Sequence, residues 1–109
     1  MASVEGFFTY EIRVGTVTRA EVFPEARVPA YKMWIDLGPE LGEKSSSARI
    51  THLYRPDDLI GRQVVCVTNF PPRRVGPFTS EVLVLGVETD RGVVLLAVDE
   101  PVPPGSRIS

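Results

Sequence analysis

Residues 31–38 run YKMWIDLG. Tyr31, Met33, Ile35 and Leu37 fall on one face and Lys32, Trp34 and Asp36 on the other. That period of two predicts a half-buried β-strand. Upstream, Ile12 to Phe23 reads as a long first strand, bent or bulged at Gly15, because glycine inside a strand marks curvature or close backbone approach. Downstream, Gln63 to Phe70, Ser80 to Val87 and Val93 to Val98 are further β-rich runs, with Asp90-Arg91-Gly92 as turn chemistry between the last two. Helical signals are confined to Ser3 to Phe8 and to THLYRPDDLIG, residues 51–61. In the latter, Thr51 is placed to cap a first turn, Pro56 to open a second and Gly61 to stop it. The order of three strands, short helix and further strands predicts an all-β OB-fold, a five-stranded Greek-key barrel with the helical segment between strands 3 and 4.

A chain of 109 residues with 43% hydrophobic content supports one domain and one core. Residues 1–10 are expected to form an N-terminal extension and residues 99–109 a C-terminal arm. The Ser45-Ser46-Ser47 run is too short for a disordered linker. No apolar stretch reaches the about 18 residues of a membrane span, and MASVEGFFTYE lacks the pattern of an export signal, so a cytoplasmic protein without membrane insertion is expected. Cys66, the single cysteine, lies in the apolar run VVCVTNF and reads as a packed thiol. Ten of the twelve basic residues are arginine, and there is one Asn and one Gln. A thermophilic source and plain codon bias account equally well for this composition. A net charge of −2 argues against indiscriminate polyanion binding and leaves room for a local basic patch.

Residues 69–86, NFPPRRVGPFTSEVLVLG, supply that patch. Pro71 and Pro72 fix φ, remove two backbone donors and end the preceding strand. Arg73 and Arg74 are thereby held off a stiff stem, and Gly76-Pro77 turns the chain before Phe78. Guanidinium groups beside an aromatic side chain suit RNA or an extended peptide. Lys32, Lys44 and Arg49, on neighbouring strands, are candidates for the same basic surface. Trp34 is a candidate stacking platform or apolar shelf unless the N-terminal segment covers it, and Phe78 a loop-tip hydrophobic anchor. Phe70 is assigned to the core or its rim.

Nothing in the chain suggests an enzyme. His52 has no neighbouring nucleophile and reads as a satisfied structural imidazole, while Asp57-Asp58 suit the start of a helix. One Cys and one His make no zinc set, and no glycine-rich phosphate loop is present, so neither metal nor cofactor is expected.

The stretches EIRVGTV, FPEARVPAYKMWIDLG, SSSARITHLY, LIGRQVVCVTNFPPR and GPFTSEVLVLG, in this order, resemble the tRNA-binding-domain OB-fold family, and within it the CsaA-type secretion chaperones. The resemblance covers nearly the whole chain and implies a homodimer that binds unfolded or presecretory polypeptides in support of the export machinery, with weak tRNA binding as a second activity. A stand-alone tRNA-binding protein is the alternative. Carried over by position, the family's basic residues fall at Lys32 and Lys44, and its Asn-x-x-Pro-basic turn at Asn69, Pro72 and Arg73. The Ser-x-Gly-Met of tRNA binders appears as Ser80, Glu81, Val82 and Leu83, and a Ser/Ala-Gly pair as Ala48 and Arg49. Val82 in place of glycine crowds a backbone approach by RNA, whereas Arg49 adds a phosphate contact. On the tRNA reading Asn69 and Ser80 supply hydrogen bonds. Phe7 and Phe8 are too apolar for a free tail and, with Ile108 of the arm, are expected at the dimer interface, the arm lying along the partner.

Overall fold

The computed structural model describes residues 1–109. After a single-turn helix, α1 (Val4–Phe7), come β1 (Ile12–Val22), β2 (Tyr31–Asp36), the short helix α2 (Gly38–Leu41) and β3 (Glu43–Ala48). Then follow α3 (Pro56–Leu59), β4 (Gln63–Val67), β5 (Arg73–Val75), β6 (Phe78–Ser80), β7 (Leu83–Val84), β8 (Gly86–Thr89) and β9 (Gly92–Leu95). Five strands form an antiparallel sheet in the order β3-β2-β1-β4-β7, curled into a nearly closed barrel, while β5-β6 and β8-β9 are separate hairpins. This is the OB-type barrel expected, with α3 between β3 and β4.

The alternation read in residues 31–37 holds: Met33, Ile35 and Leu37 are at most 1% exposed, and with Val17, Leu59, Val64 and Cys66 they form the centre of the core. Burying side chains of this size stabilises by about 1.5–3 kcal/mol each. Cys66 is packed as expected, and burial pushes its thiol pKa from 9.0 up to about 12.

β1 bends elsewhere than at the expected glycine. Its register against β2 runs Thr16↔Asp36 and Val17↔Ile35, then jumps to Arg19↔Trp34, so Thr18 is the extra residue of a bulge. Gly15 has a different task. A Cβ there would drive into the Ile35 and Leu37 side chains and lie 3.0 Å from the Asp36 carbonyl oxygen. The bulge leaves Thr18 and Arg19 both exposed, setting Arg19 on the outer face.

The run Ser80 to Val87 is three short strands rather than one. The barrel closes here by a seam in which side chains replace part of a backbone ladder. The Ser45 N–H donates to Glu81 Oε1 (3.1 Å) and the Ser47 N–H to Ser80 Oγ (3.0 Å). Ser46 Oγ donates to the Val82 carbonyl (2.8 Å). Buried serines on a closing edge need such partners, and a continuous strand through Glu81 would remove them. The strand assigned to Gln63 to Phe70 likewise stops at Val67.

Thr51 caps no helix. α3 begins at Pro56, behind Arg55, whose N–H donates to Asp58 Oδ2 (3.2 Å), and Gly61 ends the turn at φ 85°. His52 is exposed rather than satisfied inside the fold, its Cβ lying where a side chain on Gly92 would stand. α2 has no counterpart in the expected elements. Pro39 stands in its first turn and Gly42, φ 71°, closes it.

The C-terminal arm lies along its own chain. The Val14 N–H donates to the Ser106 carbonyl (2.9 Å), the Gly105 N–H to the Val14 carbonyl (2.7 Å) and the Ile108 N–H to the Ile12 carbonyl (2.8 Å). The arm thus takes up the free edge of β1 where β2 has not begun to pair, which blunts an exposed strand edge. Arg13 Nη1 donates to the Gly105 carbonyl (3.0 Å), and the Gln63 side-chain amide brackets Val102 through both its atoms (2.7 and 3.0 Å).

Candidate ligand-binding groove

The β5-β6 hairpin folds over the outer face of β2 and β3, with Arg73 opposite Ser80 and Val75 opposite Phe78. Pro71 and Pro72 bring it there and Gly76, φ 57°, turns it. Phe78 is not a tip residue. It is half-buried and packs edge-on against Phe23 (5.6 Å between centroids) and Trp34 (5.8 Å). Trp34 is covered by Phe78 and by the Arg19 guanidinium, 4.5 Å above its ring, rather than by the N-terminal segment. This cluster braces the hairpin, and the Arg19 guanidinium occupies a face of Trp34 that a stacking ligand would need.

Two cavities flank the hairpin and share Ser47 and Arg73. One, of about 180 Å³, has an apolar wall of Phe70, Pro71, Val82 and Leu83, with Ser80 and Glu81 also lining it. The other, of about 330 Å³, lies between the 24–30 loop, the end of β3 and β5, and receives Arg27, Arg49 and Arg73. Together they form a groove that is apolar at one end and basic at the other.

The candidate residues divide sharply against this groove. Arg49 and Arg73 meet in it, joined by Arg27, which the sequence reading passed over. None of these three guanidiniums is within ion-pair distance of a carboxylate, since the chain's ion pairs involve Arg13, Arg19, Lys32 and Lys44. Lys32 stands 3.8 Å from a Glu21 carboxylate oxygen and beside the Phe23 and Phe78 rings (5.5 and 5.9 Å). Lys44 is 3.8 Å from Glu81. Arg74 is exposed on the hairpin, its Nη1 3.3 Å from Thr79 Oγ1.

Asn69 and Ser80 work within the fold. Asn69 Oδ1 accepts from the Glu11 N–H (2.9 Å) and its Nδ2 donates to the Thr9 carbonyl (2.8 Å), which ties the N-terminal segment to the end of β4. Ser80 is 8% exposed and its hydroxyl serves the seam. Phe70, expected in the core or at its rim, is 40% exposed and packs edge-on against Tyr10 (5.8 Å). Phe7 and Phe8 are each 43% exposed, stacked edge-on against each other (5.1 Å), and Ile108 is half-buried on β1. Arg27 carries no periodic signal. Its one clue is its place in the proline-bounded loop FPEARVPA, a stiff connector of the same kind as the Pro71-Pro72 stem.

No helix is long and apolar enough to cross a membrane. The family described as "Putative tRNA binding domain" matches residues 12–107. The crystal structure of the chaperone CsaA from Bacillus anthracis is 57% identical, covers 100% of this chain and 99% of its own, and superposes with a TM-score of 0.93. That of the CsaA chaperone from Picrophilus torridus is 44% identical over 100% of both chains, with a TM-score of 0.95. The methionine–tRNA ligase of Methanocaldococcus jannaschii is 34% identical over 99 residues, 90% of this chain and 15% of the ligase. The chain thus spans only a small part of the curated relatives it matches, the segment they share being the barrel. With a family match across nearly its whole length, the chain belongs to the tRNA-binding domain family.

Proposed function

We propose that this protein is a CsaA-like, export-related chaperone of the cytoplasm that holds unfolded or presecretory polypeptide as a homodimer, with weak tRNA binding as a second activity. The observation that carries the reading is the groove. An apolar cavity bounded by Phe70, Val82 and Leu83 adjoins a basic one through Arg73, an arrangement suited to an extended chain whose apolar side chain enters one end while its carbonyls or acidic flanks meet guanidiniums at the other. The 57% identity to a CsaA chaperone along the whole chain supports the same reading. Of the expected RNA contacts, Lys32 and Lys44 already face carboxylates and Asn69 and Ser80 already hydrogen-bond within the fold. That leaves a few arginines for phosphate and accords with modest RNA affinity. Exposed Val4, Phe7, Phe8 and Tyr10 at the N-terminus support dimerisation, since a second subunit would cover them.

The alternative, a stand-alone tRNA-binding protein, is favoured by the family match and by the segment shared with methionine–tRNA ligases. Titrating the protein with an unfolded presecretory polypeptide and with bulk tRNA, from about 50 to 200 mM salt, separates the two. Polypeptide binding that survives salt, with feeble tRNA binding, is the expected result. Tight tRNA binding with a steep salt slope, reduced by about one phosphate contact in Arg73→Ala, together with no polypeptide binding, would overturn the chaperone assignment.

A further inference from the structure

Three arginines from three separate elements, Arg27 of the 24–30 loop, Arg49 after β3 and Arg73 of β5, line one cavity of about 330 Å³. All three are exposed and none has a carboxylate within ion-pair distance, although the chain as a whole is acidic. Glu25 is the single acidic residue lining the same space, so the seat carries a surplus of two positive charges. Unpaired like charges gathered in this way repel one another and are stabilised when an anion of matching charge enters.

The charge of the cavity narrows the choice. The tip of the β5-β6 hairpin and the 24–30 loop approach each other beside the cavity, a Cβ on Gly76 falling 3.9 Å from the Glu25 carbonyl oxygen, and the surplus of two positive charges is what distinguishes one kind of phosphate from another. A phosphodiester inside a strand has chain leaving on both sides and carries one negative charge. A terminal phosphate monoester has chain leaving on one side only and carries about −1.5 to −2 charge at pH 7, with three strong acceptor oxygens. Arginine forks match those oxygens in pairs.

We propose that the Arg27–Arg49–Arg73 cavity is a seat for the terminal phosphate of an RNA strand, so that phosphorylated ends are held in preference to internal phosphodiesters. The assignment rests on the nucleic-acid side of the function proposed above. The strand leaves the seat past Ser47 and Arg73 toward the Phe70 cavity, which lies on the same groove.

The test compares the full-length protein's affinity for one short oligoribonucleotide carrying a 5′-phosphate, a 3′-phosphate or hydroxyls at both ends, labelled internally, at fixed salt. A hydroxyl-ended strand one nucleotide longer controls for added charge. At least one phosphorylated end should bind about tenfold tighter than both hydroxyl-ended strands, the equivalent of one charge-assisted hydrogen bond. The difference should collapse in Arg27→Ala and return only partly in Arg27→Lys, which keeps the charge and loses the fork. Which end gains identifies the polarity of the strand. Equal binding of all four strands would overturn the seat while leaving RNA binding intact, and binding of none would overturn both. A phosphoserine peptide that competes as well as the phosphorylated RNA would also refute the assignment to an RNA end.

Discussion

Replacing Asn69 by alanine tests whether this residue of the proline turn serves a ligand or the fold. Its side chain makes two hydrogen bonds, accepting from the Glu11 N–H at 2.9 Å and donating to the Thr9 carbonyl at 2.8 Å. Each bond contributes about 0.5–1.5 kcal/mol net, and at this exposed site water will satisfy the freed backbone groups, so the loss should total about 1–2 kcal/mol. For a domain of this size each kcal/mol corresponds to about 4 °C in Tm, giving an expected fall of about 4–8 °C. The Glu11 and Thr68 backbones remain joined by the Thr68 N–H to Glu11 carbonyl bond (2.8 Å), so the barrel itself should persist and the loss should concentrate in residues 1–10. Thermal unfolding followed by circular dichroism reads the Tm, and amide exchange locates the change. Binding of tRNA and of unfolded polypeptide should differ from the parent by less than about twofold, since no ligand contact is removed. An unchanged Tm accompanied by a severalfold loss of binding to either ligand would refute this reasoning and return Asn69 to the binding surface.

Gly15→Ala should destabilise by about 1–3 kcal/mol, because the new methyl must displace Ile35 and Leu37 in the packed core; a urea midpoint equal to the parent's would show that no close approach exists. The Cys66 thiol stays protonated in the folded protein up to about pH 12, whereas the unfolded chain releases its proton near 9.0. Its contribution is therefore fully present below pH 9.0 and is lost as pH rises toward 12, by up to about 1.4 kcal/mol per pH unit. Denaturant titrations at pH 8 and pH 10 should show this difference in the parent and a smaller one in Cys66→Ala; identical pH dependence in the two proteins would contradict it.

The parts of the barrel that were legible in the sequence are those where one residue's neighbours along the chain report its environment. In β2 the alternation of Tyr31, Met33, Ile35 and Leu37 with polar residues is a direct image of inside and outside. The turn at Asp90-Arg91-Gly92 and the helix opening at Pro56 were legible because they depend on backbone chemistry of the residues themselves. The bulge at Thr18 was not, since nothing in TVTRA distinguishes a paired threonine from an unpaired one. The break in the run after Ser80 was equally hidden, because it depends on Ser80 and Glu81 finding the backbone of a strand more than thirty residues earlier.

The candidate site shows the same divide. Arg73 was located by the stiffness of the two prolines before it, and Arg49 as a basic residue among neighbouring strands, and the structure brings both to one cavity. Lys32 and Lys44 were chosen on the same footing as basic residues of strands, yet Glu21 and Glu81 stand beside them. Whether a cation is free for a ligand depends on which carboxylates the fold sets within a few ångströms, and no local pattern carries that. Phe78 looked like a tip because it follows Gly76-Pro77, but the hairpin's twist turns it back onto Phe23 and Trp34.

By itself the sequence determined the alternating strand over residues 31–36, the single core, the packed state of Cys66 and the family, because burial and backbone restriction are written at short range. Tertiary structure alone decided the seam between β3 and residues 79–82, the docking of the arm on its own β1, and the gathering of Arg27, Arg49 and Arg73. Each of these depends on residues far apart in the chain being brought within hydrogen-bonding or electrostatic range, and that proximity is set only when the barrel closes.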